Sequence, residues 1–422
     1  MATTAPEHRP VLPQDELDAL IKEARQRQQR RRRRMGFSFL AVVAVALVAF
    51  GLGGAGGATK SHRSRLRPAI SSATNNQAVG AATLSNVESV DFLNADTGWV
   101  LTSTPSTDGL TQLLATVDAG RRWTNISPPT LRGSGRVVDG MLLSSRTDLW
   151  VGVSNNSAGP TEAELFNSTD GGRTWSDRGV FPHGGGSVWP YFISPSRGWL
   201  MVDNGAAAGS DWVTIYRTTS AGRHWALIAR TPFPGVPDTS GTPGAPSSGC
   251  DKLGIAFASS TSGWIGQFCA SGVALQRSID GGRQWSEANL DTTDEGGFAT
   301  APRFFNGADG AASAGLGAPT GTRGAIFTTI DGGTQWTLHK SPGFDAAPAD
   351  IVSPTMWFTY KGDTLFVTRN AGATWSSHRS PVVNNSFDGQ VLDFINVNDG
   401  WVVTHSGRLW HTTNGGRSWK RS

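Results

Sequence analysis

The chain has 422 residues, 38% of them hydrophobic and 17% charged, with a formal net charge of +4 and a calculated pI near 9.3. The charge is confined to one end: residues 1–58 carry nine Lys/Arg against five Asp/Glu, leaving 28 of each sign beyond them. A neutral region past residue 58 gives nucleic-acid binding no electrostatic support, and 53 glycines with 16 tryptophans mark a chain rich in repeated turns.

From the N-terminus, Pro13 to Arg34 reads as a helix with Leu17, Leu20, Ile21 and Ala24 on one face, ending in Arg30–Arg34. Met35 to Ala58 follows without a charge, long enough to cross a hydrocarbon core of about 30 Å. Five arginines on its N-terminal flank predict that this end stays cytoplasmic. The expected organisation is a basic cytoplasmic segment at 1–34, a single transmembrane signal anchor at 35–58, and a linker at 59–85. A repeat domain at 86–422 follows, outside the membrane. Gly56-Gly57-Ala58 would also suit signal-peptide cleavage; the long lead and extended apolar stretch favour the uncleaved anchor.

The repeat domain is built on one pattern, Ser/Thr-x-Asp-x-Gly-x-x-Trp. It occurs at Thr116–Trp123, Ser168–Trp175, Thr218–Trp225, Ser278–Trp285, Thr329–Trp336, Thr368–Trp375 and Thr412–Trp419. Asp118, Asp170, Asp280 and Asp331 hold the acidic position, replaced by Ser220, Asn370 and Asn414 in the other copies. Each copy follows a short apolar run such as Leu113-Leu114 or Ile326-Phe327, so it reads as the turn of a β-hairpin. Asp or Asn accepts backbone N–H bonds, Gly takes a left-handed conformation, and the hydroxyl bonds locally. Trp123, Trp175, Trp225, Trp285, Trp336, Trp375 and Trp419 then offer apolar faces to a neighbouring hairpin. A catalytic group has no reason to recur seven times, and a calcium loop needs more oxygen ligands per turn, so these residues are expected to be structural. No cofactor or metal is expected.

These turns resemble the Asp-box, or bacterial neuraminidase, repeats of sialidases, sortilin-type receptors, some glucan hydrolases and the photosystem II assembly-factor propellers. In those families the box lies between the third and fourth strands of a propeller blade. A second repeat runs ahead of each box, an apolar run leading to Gly-Trp. It is seen in Val90-Asp91-Phe92 to Gly98-Trp99, Tyr191-Phe192 to Gly198-Trp199, Ala256-Phe257 to Gly263-Trp264 and Asp393-Phe394 to Gly400-Trp401. The fifth copy, Arg303-Phe304-Phe305 to Gly310-Ala311, lacks the Trp, and the sixth reads Ile351-Val352 to Met356-Trp357. This pairing most resembles the photosystem II assembly-factor type, over about Val90 to Ser422.

Spacings of 52, 50, 60, 51, 39 and 44 residues between acidic positions match four-stranded blades. They predict an all-β domain, a seven-bladed β-propeller, with an open solenoid as the alternative. The chain stops just after its last box, and Val79–Leu84 is a candidate to extend that final edge. The longest gap holds the Pro/Gly-rich stretch 231–249, read as an irregular loop. Cys250 and Cys269 flank one hairpin; outside the membrane a disulfide is favoured over a metal pair, with no His close in sequence.

The resemblance does not extend to sialidase chemistry: no Arg-Ile-Pro motif opens the first blade, and Tyr191, Tyr216 and Tyr360 are the only tyrosines. A glucan-hydrolase site would need two facing carboxylates, for which Asp203, Asp211, Glu287, Asp309, Asp350 and Asp393 are candidates of equal standing. The reading is a membrane-anchored, extracytoplasmic, non-catalytic scaffold for a protein or peptide partner, with no nucleic acid. The alternative is a sialidase- or glucanase-like hydrolase or a glycan-binding protein.

Overall fold

The computed structural model describes residues 78–80, 84, 86–103, 111–132, 136–155, 161–183, 187–207, 210–232, 241–291, 296–318, 323–345, 349–381, 392–404 and 406–422. The expected cytoplasmic helix, the apolar segment 35–58 and most of the linker lie outside these residues. Among the described residues no helix is long and apolar enough to cross a membrane.

The regular structure of the described chain is almost entirely antiparallel sheet, with one short helical turn at Pro129–Arg132. Four sheets have four strands each, in sequence order, with the box in the turn between the third and fourth. The sheet of the first box has a fifth strand, and the fourth and fifth boxes share one nine-stranded sheet. That fusion comes from Gly296–Ala299, which pairs with Gly310–Ala318 of its own hairpin and also with Gln267–Cys269 of the preceding one. Below, "unit" denotes the strands belonging to one box.

First strands line the inside. Val188–Phe192 lies against Arg136–Leu143 on one side and Asp251–Phe257 on the other. Leu392–Phe394 lies between Asp350–Ile351 and Val87–Phe92, so the last unit packs on the first and the sheets close into a ring. Ala78–Gly80 does not extend the final edge as expected. It pairs with Arg122–Thr124, on the outer strand of the first unit. The last unit is completed by its own Lys420–Arg421.

The core sits between units, where at five junctions an aromatic residue of the first strand packs on the second strand of the preceding unit; the first strands of the second and sixth units bring Leu143 and Ile351 instead. Phe92 lies 3.6 Å from Trp401 at 4°, Phe257 3.6 Å from Trp199 at 7°, and Phe192 4.3 Å from Trp150. A buried Trp removes about 150–250 Å² from water, worth about 4–6 kcal/mol, and such stacking adds about 1 kcal/mol. The Gly of each Gly-Trp lies opposite that aromatic ring because no Cβ fits there: one built on Gly98 would sit 2.4 Å from Phe92.

The sixth unit departs from this scheme. Its register pairs Ile351 with Trp357 and Asp350 with Phe358, so Phe358 holds the position Trp has elsewhere, one residue later than the sequence repeat suggests. Phe394 of the next unit accordingly stacks on Phe358 at 3.6 Å. Trp357 instead faces back toward the fifth unit, where it shares a cluster with Ala311 and Ile326. The indole missing at Ala311 is thus supplied from the other side of the junction.

Two further elements belong to the fourth unit. Residues 241–249 of the Pro/Gly stretch are packed along the fourth unit: Trp285 N donates to Gly244 O (2.7 Å), and Ser247 exchanges bonds with the Gln276 amide. Cys250, immediately before the first strand of that unit, and Cys269, at the end of the second, are disulfide-bonded, with Cα atoms 4.8 Å apart.

Candidate functional site in the central channel

A box turn precedes the last strand of each unit. In every copy the Ser/Thr hydroxyl accepts the N–H of the glycine four residues on, at 2.7–3.0 Å. The same hydroxyl donates to the acidic-position side chain in Asp118, Asp170, Asp280, Asp331, Asn370 and Asn414. That side chain's oxygen then accepts a further backbone N–H, and Ser220 does the same toward His224 N (3.0 Å). Two residues per turn take positive φ, and the first is Ala in three copies (Ala119, Ala221, Ala371). The second is always Gly, since a Cβ on Gly222 would lie 2.4 Å from Trp150 and one on Gly333 2.4 Å from Trp264. Burial acts against ionisation of Asp170 and Asp280, but their turn hydrogen bonds outweigh it and hold both below the usual carboxylate range. The box oxygens are thereby occupied in turn geometry, and box Trp residues such as Trp123 and Trp175 are buried.

A different constellation forms on the first strands. The residue paired with the second-strand Trp, or its substitute, is Asp91, Leu142, Tyr191, Ala256, Arg303, Asp350 and Asp393 in turn. These equivalent positions form a girdle at the inner margin. One arc is polar, from Arg303 through Asp350 and Asp393 to Asp91; the other is Leu142, Tyr191 and Ala256. The three carboxylates keep a half-exposed edge and are otherwise enclosed by protein, while Arg303 is exposed.

Several girdle residues clasp the next unit, always at the residue following its own girdle position. Tyr191 Oη donates to Phe257 O (3.1 Å) and Arg303 Nη1 to Ile351 O (3.0 Å). Phe394 N donates to Asp350 Oδ2 (2.5 Å) and Phe92 N to Asp393 Oδ2 (2.6 Å). Enclosure raises the Asp91 carboxyl to about 6 and the Asp350 carboxyl to about 7, with Arg303 opposing in both. Asp393 is pushed well above the usual range by burial and then by the charges of Asp350 and Asp91. Three acids share one guanidinium, so the girdle holds protons near neutrality.

Asp350 and Asp393 are therefore brought together; the other sequence candidates lie elsewhere. Asp203, Asp211 and Glu287 surround Lys252 between the third and fourth units, where Asp211 Oδ2 accepts Lys252 N (2.7 Å). Burial lowers Lys252 to about 8 despite those neighbours, and its Nζ donates to Cys250 O. Asp309 accepts from Asn306 in an exposed turn (2.7 Å). Asp91 and Arg303 were not among the sequence candidates. The signal that finds them is positional: each immediately precedes the Phe that stacks on the preceding unit. Among the described residues no cluster of His, Cys, Asp or Glu is arranged to hold a metal.

A ring of four-stranded antiparallel units with a box in each last hairpin defines a β-propeller of the Asp-box type. No family model and no curated protein matches the chain. Among solved structures it is similar to YCF48 bound to D1 peptide, at 16% identity and TM-score 0.50, over 82% of this chain and 99% of that one. It is also similar to a prolyl endopeptidase structure at 10% identity and TM-score 0.51, covering 81% of this chain and 51% of that one. A Hadza microbial sialidase aligns at 15% identity with a TM-score of 0.39, over 71% of each chain. At these identities the likeness is one of fold.

Proposed function

We propose that the chain is a seven-bladed propeller held at a membrane by residues 35–58, with the N-terminus cytoplasmic and the propeller outside. It serves there as a non-catalytic scaffold that binds a protein or peptide partner. The observation that carries this reading is the use already made of the obvious acidic groups. Box carboxylates hold their own turns, and Asp350 and Asp393 hold the backbone of the next unit. A propeller built this way offers a rigid frame with loops as its adjustable part. The fold shared with YCF48, whose structure carries a D1 peptide, supports a peptide or protein as ligand, as analogy only.

One observation favours a second reading, a glycoside hydrolase or glycan binder. Asp91, Asp350 and Asp393 meet on the first strands with raised proton affinities, and a carboxyl that keeps its proton near neutrality can serve as a general acid. A single experiment separates the two. Full-length protein in detergent is incubated with envelope extract, and both captured proteins and released sugars are recorded. A partner that copurifies reproducibly without sugar release supports the scaffold. Saccharide turnover that disappears in Asp350→Asn and Asp91→Asn, with the fold intact, overturns it.

A further inference from the structure

The junction between first and last units carries the whole burden of closing the ring. Among the described residues no strand is shared across it, since each of the two sheets is drawn from its own stretch of chain. What joins them is Val87 N to Gly407 O (3.1 Å), Phe92 N to Asp393 Oδ2 (2.6 Å), and the stack of Phe92 on Trp401. Val87, Val90 and Phe92 from one side and Trp401, Val403 and Leu409 from the other complete a shared apolar cluster. One junction earlier the arrangement repeats, with Phe394 N on Asp350 and Phe394 on Phe358. Where the third unit meets the fourth and the fifth meets the sixth, the clasp is instead made by Tyr191 and Arg303. The carboxyl clasps therefore fall at the two junctions flanking the last unit.

We propose that Asp393, acting with Asp350 and Asp91, makes the junction of first and last units a proton-operated latch that tightens on acidification. The Asp393 carboxyl accepts the Phe92 N–H while burial and then the charges of Asp350 and Asp91 act against its ionised form, and the Phe92 bond and Arg303 offset them only in part. A proton on the trio relieves that repulsion and leaves a carbonyl-type oxygen free to accept the same bond. The folded protein thus binds protons more strongly than the unfolded chain. The stabilisation is present in full below the ordinary carboxyl value of 3.8 and is lost as pH rises through about 6 to 7. Two other titratable groups near the junction act on the same balance. Glu88, on the same first strand as Asp91, is raised by burial against its bond to Ser103 and adds in the same direction. His411, stacked 4.3 Å from Trp401, works the other way: burial lowers it, with Asp399 opposing, so its charging costs stability in acid.

The test is hydrogen exchange and thermal unfolding of the full-length protein in detergent from pH 5 to pH 8. Protection of the Phe92 amide, corrected for intrinsic exchange, is expected to be about tenfold higher at pH 5, the equivalent of one pKa unit. The melting temperature is expected to rise in parallel. Asp393→Asn keeps an acceptor oxygen and should flatten both pH slopes; a merely structural Asp393 would shift stability equally at all pH values. If Asp393→Asn does not fold, Asp91→Asn leaves both carboxyl clasps in place and should flatten the slopes in part. A wild-type protein whose Phe92 protection is independent of pH, or falls toward pH 5, overturns the latch. So does an unchanged slope in Asp393→Asn or, should that variant not fold, in Asp91→Asn.

Discussion

The exchange between Ala311 and Trp357 can be tested as a coupled pair. Trp357 is fully buried between the fifth and sixth units, and the box glycine Gly372 lies against it: a Cβ there would be 3.1 Å from the indole. At other junctions that place belongs to the preceding unit's Trp, as with Gly333 and Trp264. Trp357→Gly removes the indole and adds a flexible residue, a loss of about 4–6 kcal/mol. Ala311→Trp alone sets two indoles competing for one place and costs about 1–3 kcal/mol or more. The double variant Ala311→Trp/Trp357→Gly restores one indole to the site, now from the usual strand and opposite the usual Gly. It should recover at least about 2 kcal/mol relative to the sum of the single changes, the size of coupling found between contacting residues. Urea unfolding of all four proteins, with the dependence on denaturant unchanged among them, measures the cycle. Additivity within about 0.5 kcal/mol would refute the claim that one site is being filled from two sides.

Three other outcomes are expected. Gly171→Ala should cost only about 1–2 kcal/mol in urea unfolding, because its turn position is Ala in three copies; Gly172→Ala should cost more, its Cβ falling 2.7 Å from Ile126. Reducing Cys250–Cys269, or replacing both by Ala, should lower stability by about 3 kcal/mol for the 19-residue separation, read as a melting-temperature shift with and without reductant. Asp170→Asn should be tolerated at neutral pH, since Asn370 and Asn414 make the same turn. It should also blunt acid unfolding. The lowered Asp170 pKa gives stability that is present above 3.8 and lost as pH falls through the folded value, and that portion of the acid transition should vanish with the carboxylate.

The boxes were legible in the sequence because the side-chain bonds that shape them, such as those of Thr116 and Asp118, each span no more than four residues. The all-β class and the hairpin placement of the boxes followed from that local chemistry. The girdle was not legible. Asp350 and Asp393 stood among six equal candidates, and Asp91 and Arg303 outside them, since the four converge only after strands from four units are laid side by side. The sixth unit misled for a related reason. Met356-Trp357 looks like a Gly-Trp pair, and only the pairing of Asp350 with Phe358 reveals the one-residue offset. The edge strand Ala78–Gly80 likewise has a sequence that suits any open edge; which edge it meets is decided by the path of the chain around the ring.

A sheet built from a single run of chain has one more consequence. Asn86 meets Gly407 at the same junction where Ser422 approaches Gly120, so the described chain begins and ends on the two sides of one interface. Among the described residues, no stretch of chain crosses that interface. Joining Ala78 to Ser422 through a connector and reopening the polypeptide between two other units would give a circular permutant with the same set of strand pairings. In such a molecule the Asp393 clasp would lie within continuous chain, and the weakest joint of the wheel would move to wherever the new cut was made.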